Sequence, residues 1–201
     1  MIKKYILIIS LMTISMIGYS QNYRKIKDIP YASHRVSHKQ ALDLYIPESD
    51  GAMPCLIWIH GGAWLAGSKD GLPREVDMLP DHGYVVASIG YRLSSEAIFP
   101  AQIFDCKAAI RFLKANAGTY GIDPNKMAVS GSSAGGHLVA LLGTSCDIQE
   151  LEGELGEHLD QSSCVQAVCD FFGPTDLLAL LGQRGENARR PMAEDALLGG
   201  P

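Results

Sequence analysis

A serine flanked by glycines is the residue of this sequence best suited to chemistry. Ser133 lies in the pattern Gly131-x-Ser133-x-Gly135, directly after a short apolar run at 127–129. This pattern is typical of a strained strand-to-helix turn, in which glycines leave room for close backbone contacts and the serine hydroxyl is exposed. The apolar stretch at 138–142 predicts a buried helix whose N-terminal amides face the serine. Ser133 is therefore the candidate nucleophile.

A second element lies upstream, where an apolar run at 54–59 leads into the sequence HGGAW at 60–64. Glycines at the carboxyl end of a buried strand allow backbone amides to approach a ligand closely. A tetrahedral acyl intermediate requires such preorganised donors for its oxyanion. We expect His60 to fix this loop by hydrogen bonding and not to act as a base. The expected oxyanion donors are the amides of Gly61 or Gly62 and of Ala134.

Strand and helix signals alternate around these motifs, which predicts an α/β fold with a mainly parallel sheet covered by helices. Residues 40–46 alternate as an edge strand would, and the apolar runs at 54–59, 84–89 and 165–172 predict further strands. The composition, 47% hydrophobic and 19% charged, fits one domain. A helix after Pro100 presents one apolar face at spacings of three and four, formed by Ile103, Cys106, Ile110, Leu113 and Ala117.

The motifs together resemble those of α/β-hydrolase esterases. HGGAW at 60–64, YRL at 91–93, the stretches at 99–117 and 121–143, and FFGPTDL at 171–177 occur together in that family. The sequence is similar to the branch of bacterial feruloyl and acetyl xylan esterases, close to the hormone-sensitive-lipase-like carboxylesterases. The resemblance covers about residues 43–201. It implies an α/β-hydrolase fold, Ser133 as nucleophile, and three oxyanion donors, Gly61, Gly62 and Ala134.

One position departs mildly from the family pattern and one part of the pattern is missing. Ala63 stands where many relatives carry glycine, and its amide should remain available. The triad of this fold runs serine, acid, histidine. His137 lies too close along the predicted nucleophile helix to serve as the base, and His158 lies in an acidic loop at the far end of the sheet. Asp176 is a candidate acid, although a role in turn and helix capping is better supported.

The resemblance implies that the acid and the histidine follow two further strands. We therefore expect residues 21–201 to form a C-terminally incomplete α/β-hydrolase domain that lacks the last strands and is inactive or crippled. With its outer neighbour missing, the strand at 165–172 should expose an unpaired edge and an apolar sheet face.

Residues 1–20 predict a secretory signal peptide. Two lysines at positions 3 and 4 precede an apolar stretch at 5–17, and Gly18 and Ser20 are small residues suited to a cleavage site. The stretch is too short and too polar for a stable membrane anchor. Its removal takes away two lysines and no acidic residue, which changes the net charge from −5 to −7. Such acidity argues against nucleic acid or an anionic membrane as partner, and we expect a periplasmic or extracellular protein.

Five cysteines and one acidic loop are the remaining residues that could form a disulfide or bind a metal ion. Cys55, Cys106 and Cys169 fall on predicted buried elements and indicate packed thiols, whereas Cys146 and Cys164 bracket the loop and could pair. We expect a solvated acidic surface there and no metal, because the spacing matches no known calcium loop. No zinc, phosphate or dinucleotide motif occurs in the sequence, so no cofactor is expected. The acidic residues of the loop are Asp147, Glu150, Glu152, Glu154, Glu157 and Asp160.

The leading hypothesis is carboxylic-ester hydrolysis through a Ser133 acyl-enzyme, on acetyl or feruloyl esters of plant polysaccharide. A serine peptidase of the prolyl-oligopeptidase type shares the fold and the elbow, although the HGG loop after an early strand favours an esterase. A third hypothesis, from a different class, is a non-catalytic remnant or an ester-binding module.

Overall fold

The computed structural model describes residues 23–183 and 193–200, so the predicted signal peptide at 1–20 lies outside the described residues. One six-stranded sheet forms the centre, in the order β1-β2-β4-β3-β5-β6. β3 is parallel to β4 and β5, and β5 is parallel to β6, whereas β2 is antiparallel to both of its neighbours. This confirms the predicted α/β architecture. The strands are β1 (Tyr23–Pro30), β2 (Ala41–Pro47), β3 (Met53–Ile59), β4 (Val85–Ile89), β5 (Ile122–Ser132) and β6 (Ala167–Phe171).

β2 lies inside the sheet, so the prediction of an edge strand at 40–46 is wrong. All seven residues of β2 are buried between β1 and β4. Asp43 is fully buried, and its Oδ1 lies 2.8 Å from Nζ of Lys69. The edge is β1, whose exposed lysines and arginine suit an unpaired strand.

Helices cover one face of the sheet. Apolar residues of the two longest helices share a core cluster with Ile57 and Ile59 of β3, including Ile103, Ile110 and Leu138. The apolar face predicted after Pro100 is thereby confirmed. Among the described residues, no helix combines the length and the hydrophobicity needed to cross a membrane. The helices are α1 (Arg74–Asp77), α2 (Ala101–Ala115), α3 (Ala117–Tyr120), α4 (Ala134–Thr144), α5 (Leu177–Gln183) and α6 (Ala193–Leu198).

On the opposite face of the sheet, Trp58 and Val86 pack against Val76 of α1. Beside this cluster a groove of about 640 Å³ extends over β3, β5 and β6. β6 lies at the edge of the described sheet, and all five of its residues are exposed. The prediction of a packed Cys169 thiol is therefore wrong, since this face of β6 is open, whereas Cys55 and Cys106 are buried as predicted.

The loop between α4 and β6 is closed by a disulfide between Cys146 and Cys164, whose Cα atoms lie 5.0 Å apart. It is fastened to α2 by Glu152, which lies 2.6 Å from Nζ of Lys107 and 3.1 Å from Nη1 of Arg111. Both cations are buried. The expectation of a solvated acidic surface is thus wrong for Glu152, because α2 supplies partners that are distant in sequence.

Candidate active site

Ser133 forms a sharp turn between β5 and α4. β5 ends at Ser132, α4 begins at Ala134, and Ser133 between them has φ 55° and ψ −120°. This conformation is strained for a residue with a Cβ, and such strain concentrates at functional sites. The serine is exposed, whereas Ala134 is buried. The structure therefore presents the Ser133 side chain at the carboxyl end of an interior strand, where the sequence pattern predicts it.

Two glycines allow this turn to lie directly on the end of β3. A Cβ added to Gly131 would stand 2.6 Å from the carbonyl oxygen of Gly135 and 2.8 Å from that of Ile59. A Cβ on Gly135 would stand 2.7 Å from the carbonyl oxygen of His60 and closer still to that of Ile59. Any side chain would need the backbone to move, so the glycine spacing around Ser133 has a steric cause.

Backbone contacts hold Ser133 on three sides. Its amide donates a hydrogen bond to the carbonyl oxygen of Phe171 at 3.0 Å, and its carbonyl oxygen accepts one from the amide of His137 at 2.9 Å. On the third side, a Cβ added to Gly61 would stand 3.4 Å from Cβ of Ser133. The backbone of the loop that follows β3 therefore lies beside the serine.

This loop, residues 60–64, has an unusual backbone. Gly62, Ala63 and Trp64 are successive residues with positive φ, at 119°, 54° and 56°. Ala63 thus adopts the left-handed conformation that a glycine would take more easily, which costs roughly 1–3 kcal/mol. Among the described residues, no acceptor receives a hydrogen bond from the amides of Gly61 and Gly62. These two donors are therefore available to a ligand.

His60 anchors the loop, as predicted. Its Nδ1 lies 2.7 Å from the carbonyl oxygen of Gly61, and its ring stacks on Tyr91 with the centroids 4.3 Å apart. Burial lowers the pKa of His60, which favours the neutral ring. Because a carbonyl oxygen can only accept, Nδ1 is the donor in this contact. Tyr91 belongs to the YRL motif at 91–93, but nothing in that motif predicts its place beneath His60.

The two histidines that follow Ser133 occupy other places. His137 meets Trp64 edge to face, with ring centroids 5.3 Å apart, and burial lowers the pKa of its imidazole. His158 lies 6.0 Å from the ring of Phe112, on the last turn of α2. Within residues 23–183 and 193–200, no hydrogen bond joins the Ser133 hydroxyl to a histidine.

Asp176 is a capping residue. It lies just before α5, and its Oδ1 accepts a hydrogen bond from the amide of Ala179 at 2.8 Å. Its side chain is exposed, so the structure supports capping over a role as the catalytic acid. One cluster of metal-ligating residue types occurs among the described residues, at Cys146, Asp147 and Cys164, but its two sulfurs are joined in the disulfide.

A mainly parallel sheet with helices and a strained serine between an interior strand and the next helix defines an α/β-hydrolase fold. The chain belongs to the BD-FAE family, whose family model matches residues 42–201.

Individual relatives agree with this assignment. The chain is 40% identical to Esterase LipC of Mycobacterium tuberculosis over 124 residues, which are 61% of this chain and 30% of LipC. It is 32% identical to the probable carboxylic ester hydrolase LipM of the same organism over 182 residues, 88% of this chain and 40% of LipM. The chain thus spans less than half the length of these two relatives.

Among solved structures, the fold is similar to a truncated form of a carbohydrate esterase from gut microbiota. The TM-score is 0.78 and the sequence identity is 35%, over 89% of this chain and 67% of that chain.

Proposed function

We propose that this protein is a serine hydrolase of carboxylic esters with Ser133 as its nucleophile. The observation that carries the proposal is the strained, exposed Ser133 held at the end of β5 beside the backbone of Gly61. Membership of the BD-FAE family and similarity to an esterase and a probable carboxylic ester hydrolase support esters as the substrate class.

The reaction would proceed through an acyl-enzyme. Oγ of Ser133 attacks the ester carbonyl, the alcohol leaves, and water then hydrolyses the acyl-serine. The oxyanion of each tetrahedral intermediate would accept hydrogen bonds from the amides of Gly61, Gly62 and Ala134. Ala134 is the first residue of α4, so its amide precedes the hydrogen-bonded turns of the helix, and the N-terminal end of the helix favours negative charge.

Activation of Ser133 requires a general base, which is a histidine in the serine triads of this chemistry. His137 is packed against Trp64, and His158 lies beside α2. We therefore propose that the 201-residue chain by itself turns esters over poorly, and that its serine still retains some reactivity because the turn and the loop are formed.

We further propose acetyl or feruloyl esters of polysaccharide as substrates of an exported protein. The carbohydrate esterase among the similar structures supports the sugar component. The disulfide between Cys146 and Cys164 supports an oxidising compartment, because such bonds persist mainly outside the cytoplasm. The signal-peptide pattern at 1–20 points the same way. The HGG loop favours an esterase over a prolyl-oligopeptidase-type peptidase.

Active-site labelling tests this proposal directly. The 201-residue chain is treated with a fluorophosphonate and digested, and the modified peptide is identified by mass spectrometry. We expect slow modification of Ser133 and none of Ser130 or Ser132. Ser132→Ala is the matched control and should retain labelling, whereas Ser133→Ala should lose it. Labelling that survives in Ser133→Ala, or that falls on another serine, would reject the proposal; a chain that binds esters without any labelling would favour the ester-binding module.

A further inference from the structure

One short segment holds both ends of the loop at 60–64. After β4, the hydroxyl of Tyr91 donates a hydrogen bond to the carbonyl oxygen of His60 at 3.0 Å. Three residues later, Ser94 donates to the carbonyl oxygen of Trp64 twice, from its amide at 2.8 Å and from its hydroxyl at 3.1 Å. His60 and Trp64 bound the part of the loop that carries the free amides. The segment at 91–94 therefore fixes that part at each end.

An ion pair with a fully buried carboxylate fastens the segment to α2. Arg92 donates from its backbone amide to Oδ2 of Asp105 at 2.8 Å, and its guanidinium donates to both carboxylate oxygens, from Nε at 2.9 Å and from Nη2 at 2.8 Å. Asp105, on α2, is fully buried and also accepts a hydrogen bond from the side-chain amide of Gln40. A paired, bidentate geometry of this kind holds the backbone of Arg92 rigidly against α2.

The loop needs an external restraint of this kind. Three successive residues with positive φ, two of them not glycine, do not persist unless the surroundings determine them. Local hydrogen bonds hold the middle of the loop, where the carbonyl oxygens of Gly61 and Gly62 are the acceptors. The carbonyl oxygens of His60 and Trp64, at its two ends, accept instead from the segment at 91–94.

We propose that Arg92 and Asp105 are positioning residues, which hold the amides of Gly61 and Gly62 in place beside Ser133 through Tyr91 and Ser94. This inference rests on the proposed function, because it concerns the same site. Neither charged residue would touch the substrate. Their contribution would be to keep two backbone donors aimed at the oxyanion, where misplacement of a donor slows the chemistry strongly.

Two variants and one matched control test the inference on the 201-residue chain. Tyr91→Phe removes only the hydroxyl that contacts His60 and should fold normally. Arg92→Met leaves the carboxylate of Asp105 without its main partner. Arg111→Met is the control, because it also removes a buried ion pair of α2, but its partner Glu152 lies in the disulfide loop. Thermal melting of all three shows whether any difference at the loop simply follows global stability.

The first measurement is amide hydrogen exchange of peptides covering 60–66. We expect exchange about fivefold faster in Tyr91→Phe, as the loss of one neutral hydrogen bond predicts, and faster still in Arg92→Met. The second is the rate of Ser133 labelling by a fluorophosphonate, which should fall about tenfold in Arg92→Met, since displaced oxyanion donors slow phosphonylation as they slow acyl transfer. Arg111→Met should change neither the exchange rate nor the labelling rate, even where it lowers the melting temperature as much as Arg92→Met does.

The possible results separate the two proposals. Unchanged exchange of the loop in both Tyr91→Phe and Arg92→Met would overturn the inference. Faster exchange without slower labelling would also overturn it, since the loop would then move without affecting the serine. If the unsubstituted chain is not labelled at Ser133, the proposed function fails, and the exchange data still decide whether the ion pair holds the loop.

Discussion

The amide of Ser133 donates a hydrogen bond to the carbonyl oxygen of Phe171, the last residue of the edge strand β6. On its other side, β5 pairs with β3, so that Gly131 lies opposite Ile59. The turn at Ser133 is thus formed where three parallel strands end together. Its geometry depends on the pairing of β5 with both neighbours, and not on the local glycine pattern alone.

Gly135→Ala should destabilise the fold strongly. The added methyl group would meet the carbonyl oxygens of Ile59 and His60, and overpacking of this kind lowers the free energy of unfolding by roughly 1–3 kcal/mol. Gly118→Ala in α3 is the control, because nothing lies within 4 Å of its added Cβ; it should be neutral or stabilising by up to about 1 kcal/mol. Urea unfolding followed by circular dichroism measures both. Equal stability of the two variants would contradict the steric account of the turn.

The 201-residue chain should hydrolyse p-nitrophenyl acetate only marginally. Loss of the base of a serine triad can lower turnover by about 10⁶, and among the described residues no histidine is hydrogen-bonded to the Ser133 hydroxyl. The release of p-nitrophenolate is followed for the chain and for Ser133→Ala, which should differ little. Turnover typical of an intact esterase that disappears in Ser133→Ala would show that a base does reach this serine.

Opening the disulfide between Cys146 and Cys164 should lower the free energy of unfolding by about 3 kcal/mol, as expected for a separation of 18 residues. Urea unfolding of Cys146→Ser against the unsubstituted chain measures the loss. Cys169→Ser is the control, since this exposed thiol is free. A thiol titration of the unfolded, non-reduced chain should find Cys55, Cys106 and Cys169 only; five reactive thiols would mean that the bond is absent in solution.

The chain should associate with itself through β6 and the groove beside it. β6 is an exposed edge strand without lysine or proline, and Val168, Phe171 and Phe172 are 41%, 46% and 81% exposed. Light scattering coupled to size-exclusion chromatography should therefore report oligomers or aggregates. Cys169→Lys places a charge on the groove side of β6 and should reduce association, whereas Val36→Lys, at an exposed apolar position far from β6 in sequence, should not. A stable monomer at all concentrations would refute the prediction.

The sequence was sufficient to predict the parts of the site that steric contact dictates. Gly131 and Gly135 flank Ser133 because the backbone of β3 lies against both, and such a requirement is visible as a residue type at a fixed spacing. His60 was likewise predictable as an anchor, since it adjoins the glycines that it fixes. The contribution of Tyr91 was not, because a contact between segments about 30 residues apart leaves no mark on either segment.

Burial of charge was the main source of error. The alternation at 40–46 indicated an edge strand, but Asp43 within it is buried beside Lys69, a partner 26 residues further along the chain. Glu152 suggested a solvated loop for the same reason, although Lys107 and Arg111 neutralise it. Cys169 misled in the opposite direction, because an apolar strand indicates burial even where its face of the sheet is open. For both carboxylates the deciding neighbour belongs to a distant part of the chain.

The placement of Ser133 between β3 and β6 also constrains when reactivity can arise during folding. Strands that pair in parallel are separated by long segments of chain. Closing such a loop costs conformational entropy before the contacts between the strands can stabilise the fold. The hairpin of β1 and β2 can form locally, but the strained turn lacks its contacts with β3 and β6 until β5 has paired on both sides. We therefore expect the serine to acquire its reactive conformation among the last steps of folding, so that an unfolded chain carries an inert hydroxyl.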